Sequence, residues 1–77
     1  MNKYRRTELK KIIDRLNEVK NDLSAICDEE RDAMENLPEN LQESDRRYAM
    51  EEAADNMEAA GDSIDDAIGI IEDVIDA

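Results

Sequence analysis

Residues 9–26 read LKKIIDRLNEVKNDLSAI, and residues 50–74 read MEEAADNMEAAGDSIDDAIGIIEDV. In both segments apolar residues recur at alternating steps of three and four, the heptad spacing of a helix with one apolar stripe. The a and d positions of the first stripe are Leu9, Ile12, Leu16, Val19, Leu23 and Ile26. Those of the second stripe are Met50, Ala53, Met57, Ala60, Ile64, Ala67, Ile71 and Val74. The two stripes predict two helices that pack against each other.

The two stripes match when the chain turns back at Pro38, its single proline. Every a position then lies opposite a d position, as antiparallel helices require. The predicted pairs are Leu9 with Val74, Ile12 with Ile71, Leu16 with Ala67, Val19 with Ile64, and Leu23 with Ala60. We therefore predict an all-α fold in which residues 1–77 form one antiparallel coiled-coil hairpin.

The connection between the helices is marked by residues that stop and start helices. Proline disfavours helix at the residue before it, so the first helix is expected over about 3–36. Ser44 is a suitable N-cap for a second helix over about 45–75, which leaves 37–44 as the connection. Glu30 occupies an a position near this end. Arg46 or Arg47 could reach it, but we expect its carboxylate to extend out of the thin interface to water rather than to act as a functional buried acid.

A second apolar flank borders the predicted seam at the e positions of both helices. Its residues are Ile13, Cys27, Met34, Ala54, Ile68 and Ile75. We expect this flank to be exposed in a monomer and to form an interface, because large apolar patches usually do. The opposite flank is mostly polar apart from Ile70. A lone hairpin also buries little, so the prediction is a homodimer that forms a four-helix bundle. Docking of the flank onto a different protein is the alternative.

Composition excludes several classes of partner and compartment. The formal net charge is −12, which opposes direct nucleic-acid binding and binding to an anionic membrane. Cys27 is the only cysteine, so no intramolecular disulfide can form. The start of the chain lacks the apolar core of a signal peptide, and no stretch is apolar enough to span a bilayer. We expect a cytoplasmic protein.

The inventory of reactive side chains is poor. The chain has no histidine, and its cysteine lies beside three acids, which disfavours a reactive thiolate. It has no glycine-rich phosphate loop, no calcium-binding loop and no metal-binding helix motif. The sequence therefore predicts a protein that is not an enzyme and has no cofactor or metal site.

The acids of the second helix are segregated from its apolar stripe. Residues 51–77 contain ten acids and no base, all at the outward b, c and f positions. The candidate recognition face is Glu51, Glu52, Asp55, Glu58, Asp62, Asp65 and Asp66. Three interpretations remain open: a face that only keeps the protein soluble, a surface for a protein partner, or a DNA mimic that occupies a DNA-binding groove.

The segment from Glu35 to Ser44, ENLPENLQES, followed by Met50-Glu51-Glu52-Ala53, resembles a group of short acidic helical proteins of Gram-positive bacteria and their prophages. The resemblance covers most of the chain, and its most specific part is Asn-Leu-Pro-Glu-x-Leu-Gln-x-Ser. A glycine often follows Ser-x-Arg in the group, where this chain has Arg47. The resemblance implies a phage or mobile-element setting, in which small acidic proteins often block host or bacterial-defence proteins. The function expected is a non-enzymatic protein-binding module, with an assembly subunit as the alternative.

Overall fold

The chain folds as a two-helix antiparallel hairpin, as the heptad stripes predict. In the computed structural model, which describes all 77 residues, helix α1 spans Lys3–Glu35 and helix α2 spans Asp45–Asp76. A single turn of 3-10 helix, Glu39–Leu41, lies between them. The hairpin is a rod whose Cα atoms extend over 60 × 15 × 11 Å. No helix is both long enough and apolar enough to cross a membrane.

Both helices begin at a polar side chain that caps the first turn. The side-chain oxygen of Asn2 accepts a hydrogen bond of 2.8 Å from the backbone N–H of Arg5. The hydroxyl of Ser44 accepts one of 3.3 Å from the N–H of Arg47, the N-cap role expected of it. Each cap satisfies a backbone donor that has no partner within its helix.

The connection is held by side-chain hydrogen bonds rather than by an ion pair to Glu30. The amide of Gln42 donates to the carbonyl of Leu37 at 2.7 Å and to that of Glu35 at 3.3 Å. Arg47 donates from Nη1 to Oε1 of Gln42 at 2.9 Å. Neither Arg46 nor Arg47 pairs with Glu30, which is half-buried and has no ion pair. The guanidinium of Arg47 fixes the turn instead.

The seam between the helices is rotated from the predicted one. Instead of a and d positions, it uses a and e positions on both helices, a rotation of about 50° at 3.6 residues per turn. The four buried residues are Cys27, Met34, Ala54 and Ile68, and all four occupy e positions. At the d positions, Val19 is 53% exposed, Ile26 is 54% exposed and Val74 is 40% exposed. The predicted pairs Leu9–Val74, Val19–Ile64 and Leu23–Ala60 are therefore wrong as core contacts.

The side chains of α2 give a physical reason for this rotation. Its d positions offer three alanines and a valine, whereas its e positions include Ile68 and Ile75, which bury more apolar surface. Ala54, also at an e position, is small enough for the thiol of Cys27 to reach its backbone carbonyl. The ion pairs that Lys20 and Arg31 form with acids of α2 lie on the same side of the hairpin as these e positions. The rotated seam thus combines the larger aliphatic side chains with the charge pairs.

Candidate protein-binding surfaces

The predicted apolar interface lies inside the hairpin. Cys27, Met34, Ala54 and Ile68 are buried, and Ile13 and Ile75 are half-buried. The thiol of Cys27 donates to the backbone carbonyl of Ala54 at 3.3 Å. The expectation that this flank is exposed in a monomer is wrong, because the helices turn these residues toward each other. The flank closes the hairpin, and of its six residues only Ile13 and Ile75 keep an appreciable part of their surface exposed.

The acidic face remains at the surface, and all seven of its residues are exposed. Three of them form ion pairs with α1. Arg31 donates from Nη2 to Oδ1 of Asp55 at 3.1 Å and to Oε2 of Glu58 at 2.8 Å. Lys20 donates from Nζ to Oδ1 of Asp65 at 2.7 Å. The face is therefore partly neutralised by the protein itself.

Arg31 is the main cation of this arrangement, although it is not among the residues predicted from the sequence. Its hydrogen bond to Asp55 is the largest effect and raises the pKa of the guanidinium. Desolvation opposes this increase, and the electrostatic interactions with Cys27, Glu58 and Asp55 add smaller increases, so the pKa remains raised overall. Arg31 lies four residues after Cys27, and Asp55 and Glu58 lie three apart on α2. That spacing on two facing helices is the signal that could have predicted the cluster.

Four acids of the face have no cationic partner: Glu51, Glu52, Asp62 and Asp66. They share the outward side of α2 with Glu72, Asp73 and Asp76, and no base follows Arg47 in the chain. We call Glu51, Glu52, Asp62 and Asp66 the unpaired acids. They leave the outward side of α2 negatively charged although Lys20 and Arg31 neutralise three neighbouring acids. A surface of this kind attracts basic surfaces from a distance and accelerates encounter with them.

A shallow groove of about 310 Å³ lies beside the ion pairs. It is lined by residues of both helices, including Lys20, Cys27, Arg31 and Gly61. A Cβ at Gly61 would meet no atom within 4 Å, so the absent side chain contributes to the opening. The acids and the cysteine form no group of three or more placed to hold a metal ion.

The exposed aliphatic residues lie on the opposite side of the hairpin. Val19, Ile26, Ile70 and Val74 are 40–65% exposed, and together with Met1 they are all the large exposed aliphatic side chains. Val19, Ile26 and Val74 occupy d positions, which were predicted to lie in the seam, and Ile70 occupies a g position on the flank predicted to be mostly polar. The hairpin therefore has an acidic side, the back, formed by the b, c and f positions of α2 together with the ion pairs. The exposed aliphatic residues at the d and g positions form the other side, the front.

Comparison with known proteins identifies no relative. No family model matches the chain, and neither a curated protein nor a solved structure is similar to it.

Proposed function

We propose that this protein is a non-enzymatic module that binds another protein through the acidic side of α2. Its partner would present a basic surface, and the most concrete version is a phage or mobile-element protein that inhibits a host or bacterial-defence protein. The setting comes from the resemblance of the connecting segment. The mode of binding comes from the charge layout of the hairpin.

The unpaired acids carry the proposal. Glu51, Glu52, Asp62 and Asp66 are exposed and remain free although Lys20 and Arg31 neutralise their neighbours. They project from a continuous helix of 32 residues, so their spacing is held without cost when a partner binds. Preorganised charge of this kind contributes to specificity and to the rate of association.

A DNA mimic is the more specific form of the same proposal. In that case the carboxylates of α2 would occupy the places of phosphates in the groove of a DNA-binding protein, and DNA would compete for the partner. An assembly subunit is the second candidate function, and the exposed Val19 and Ile26 favour it. In that case the acids only keep the assembly in solution.

The experiment neutralises the unpaired acids without changing their shape. The variant combines Glu51→Gln, Glu52→Gln, Asp62→Asn and Asp66→Asn. A matched control combines Glu18→Gln, Glu35→Gln, Asp14→Asn and Asp32→Asn, which removes the same four charges from exposed, unpaired positions of α1. Partners captured from a Gram-positive lysate with the unaltered protein are identified, and their affinities for all three proteins are measured by calorimetry.

Binding through the acidic side predicts that the α2 variant loses at least about tenfold in affinity, while the control stays within about twofold. Added salt should weaken the unaltered complex more than the α2 variant's complex. Equal affinities of variant and unaltered protein would contradict the proposal. Displacement by duplex DNA would identify the DNA-mimic form, and capture of only the protein itself would favour the assembly subunit.

A further inference from the structure

The hairpin exposes one continuous face without charge on α2, although α2 is the most acidic part of the chain. Between residues 49 and 74 the helix has nine acids and no base, and none of the nine acids occupies a d or g position. The d positions there are Ala53, Ala60, Ala67 and Val74, and the g positions are Ala49, Asn56, Ser63 and Ile70. These eight residues repeat at alternating steps of four and three, which is the spacing of a second helix-packing stripe.

Helix α1 adds large side chains to the same side of the hairpin. Because a and e positions form the seam on both helices, the d positions of both helices lie together on one side. Those of α1 are Ile12, Val19, Ile26 and Ala33. We call the d positions of both helices, with the g positions of α2, the front face. On α1 it has a ridge of three branched residues followed by Ala33, and on α2 it has a row of small residues that ends in Ile70 and Val74.

We propose that a second copy of the chain covers the front face, with α1 of each copy packed antiparallel on α2 of the other. A two-fold axis along the rod places the ridge of one copy over the small residues of the other. In that arrangement Val19 lies level with the space between Ala60 and Ala67, and Ile26 with the space between Ala53 and Ala60. Small residues opposite branched ones allow the close approach that a helix interface needs.

The area available is that of a stable dimer. The long face of the rod, 60 × 15 Å between Cα atoms, is close to the ~800 Å² that each partner buries in a standard interface. Only four residues are buried in one hairpin, so the second copy would supply most of the core. A chain of 77 residues with so small a core needs such support.

Charge selects this arrangement over the alternative two-fold stacking. If α2 packed on α2, two helices with eleven acids and two bases each would lie side by side. With α1 on α2, residues 1–20, which hold seven Lys/Arg and three Asp/Glu, lie along the acidic end of the other copy. Opposite charges then face each other across the dimer. The acidic back of each copy stays outward, so this inference is independent of the proposed function.

The test adds two charges to the front face and measures the oligomeric state by light scattering after gel filtration. Val19→Glu with Ile26→Glu should raise the dissociation constant of the dimer at least about 100-fold. The control, Ala25→Glu with Ala59→Glu, adds the same charges at exposed positions away from the front face and should remain dimeric. An unaltered protein that is monomeric at about 100 μM, or a front-face variant that remains dimeric, would overturn the proposal.

A cross-linking experiment tests the arrangement without any need for a folded monomer. Chains with Cys27→Ala and Ile26→Cys are mixed with chains that carry Cys27→Ala and Ala60→Cys, refolded together and oxidised. Disulfides between unlike chains should exceed those between like chains at least about tenfold. Predominant pairing of like chains would contradict the packing of α1 on α2. The control mixes chains that carry Cys27→Ala and Ala25→Cys with chains that carry Cys27→Ala and Ala59→Cys. These chains should cross-link no more than by random collision.

Discussion

The thiol of Cys27 donates to the carbonyl of Ala54 at 3.3 Å, and Ala54 is the one residue with no exposed surface at all. This contact joins α1 directly to the backbone of α2. Both residues lie at e positions, so the contact also marks the rotation of the seam away from the d positions. The other two buried residues, Met34 and Ile68, also lie at e positions.

Enlarging Ala54 should strongly destabilise the hairpin. Ala54→Leu would place a branched side chain against the Cys27 contact, where no space is left, and should lower the free energy of unfolding by about 1–3 kcal/mol. Ala59→Leu, at an exposed position of the same helix, is the control and should have little effect. Urea unfolding followed by circular dichroism measures both. A variant at position 54 as stable as the control would show that the seam lies elsewhere.

The thiol should report how often the hairpin opens. Cys27 is 6% exposed in the folded chain, so a thiol reagent should react with it far more slowly there than after the helices separate. We expect labelling to be at least about 100-fold slower in buffer than in concentrated urea. As a comparison, Cys27→Ala with Ala25→Cys moves the thiol to an exposed position and should label quickly in both conditions. Rapid labelling of native Cys27 would contradict its burial.

Both glycines of α2 should be replaceable with a gain in stability. A Cβ at Gly61 or at Gly69 would meet no atom within 4 Å, and neither glycine has positive φ. Alanine costs less backbone entropy in a helix, so each substitution should raise the free energy of unfolding by about 0.5–1 kcal/mol. Gly61→Ala and Gly69→Ala are measured separately by urea unfolding. A decrease in stability would indicate that the helices approach more closely there than the structure shows.

Arg31 should contribute to stability in a manner that depends on salt and not on pH. Arg31→Gln removes both ion pairs and should lower the melting temperature at low ionic strength, with a smaller difference in about 1 M salt. Lys11→Gln, which removes only a pair within one turn of α1, is the control.

The sign of the pH dependence follows from the raised pKa of Arg31. A raised pKa means that the contribution is fully present below the ordinary pKa of the guanidinium and is lost only as pH rises through the folded value. The effect of Arg31→Gln should therefore be constant between about pH 6 and about pH 9. A difference that disappears within that range would assign the effect to another group.

Several features followed from the sequence because they depend on neighbours along the chain. The heptad spacing predicts two helices, and the match of the stripes about Pro38 predicts an antiparallel hairpin, which is confirmed. Ser44 caps α2 because a hydroxyl at that position reaches the N–H three residues ahead. The placement of the candidate interface could not be predicted in the same way. Ile13 and Ile68 lie at e positions beside the predicted seam. Only the packing of the two helices decides whether such residues face the partner helix or solvent.

The sequence by itself determined the two helices, their direction and the segregation of acid onto the outside of α2. Only the tertiary structure decided which apolar flank closes the hairpin. The stripes include a, d and e positions, which form a face wider than two helices can bury between them, so a/d and a/e seams were both available. The a/e seam buries Ile68 and brings Lys20 to Asp65 and Arg31 to Asp55 and Glu58. Those gains depend on distances between residues far apart in the chain, and they leave Val19 and Ile26 exposed on the front face.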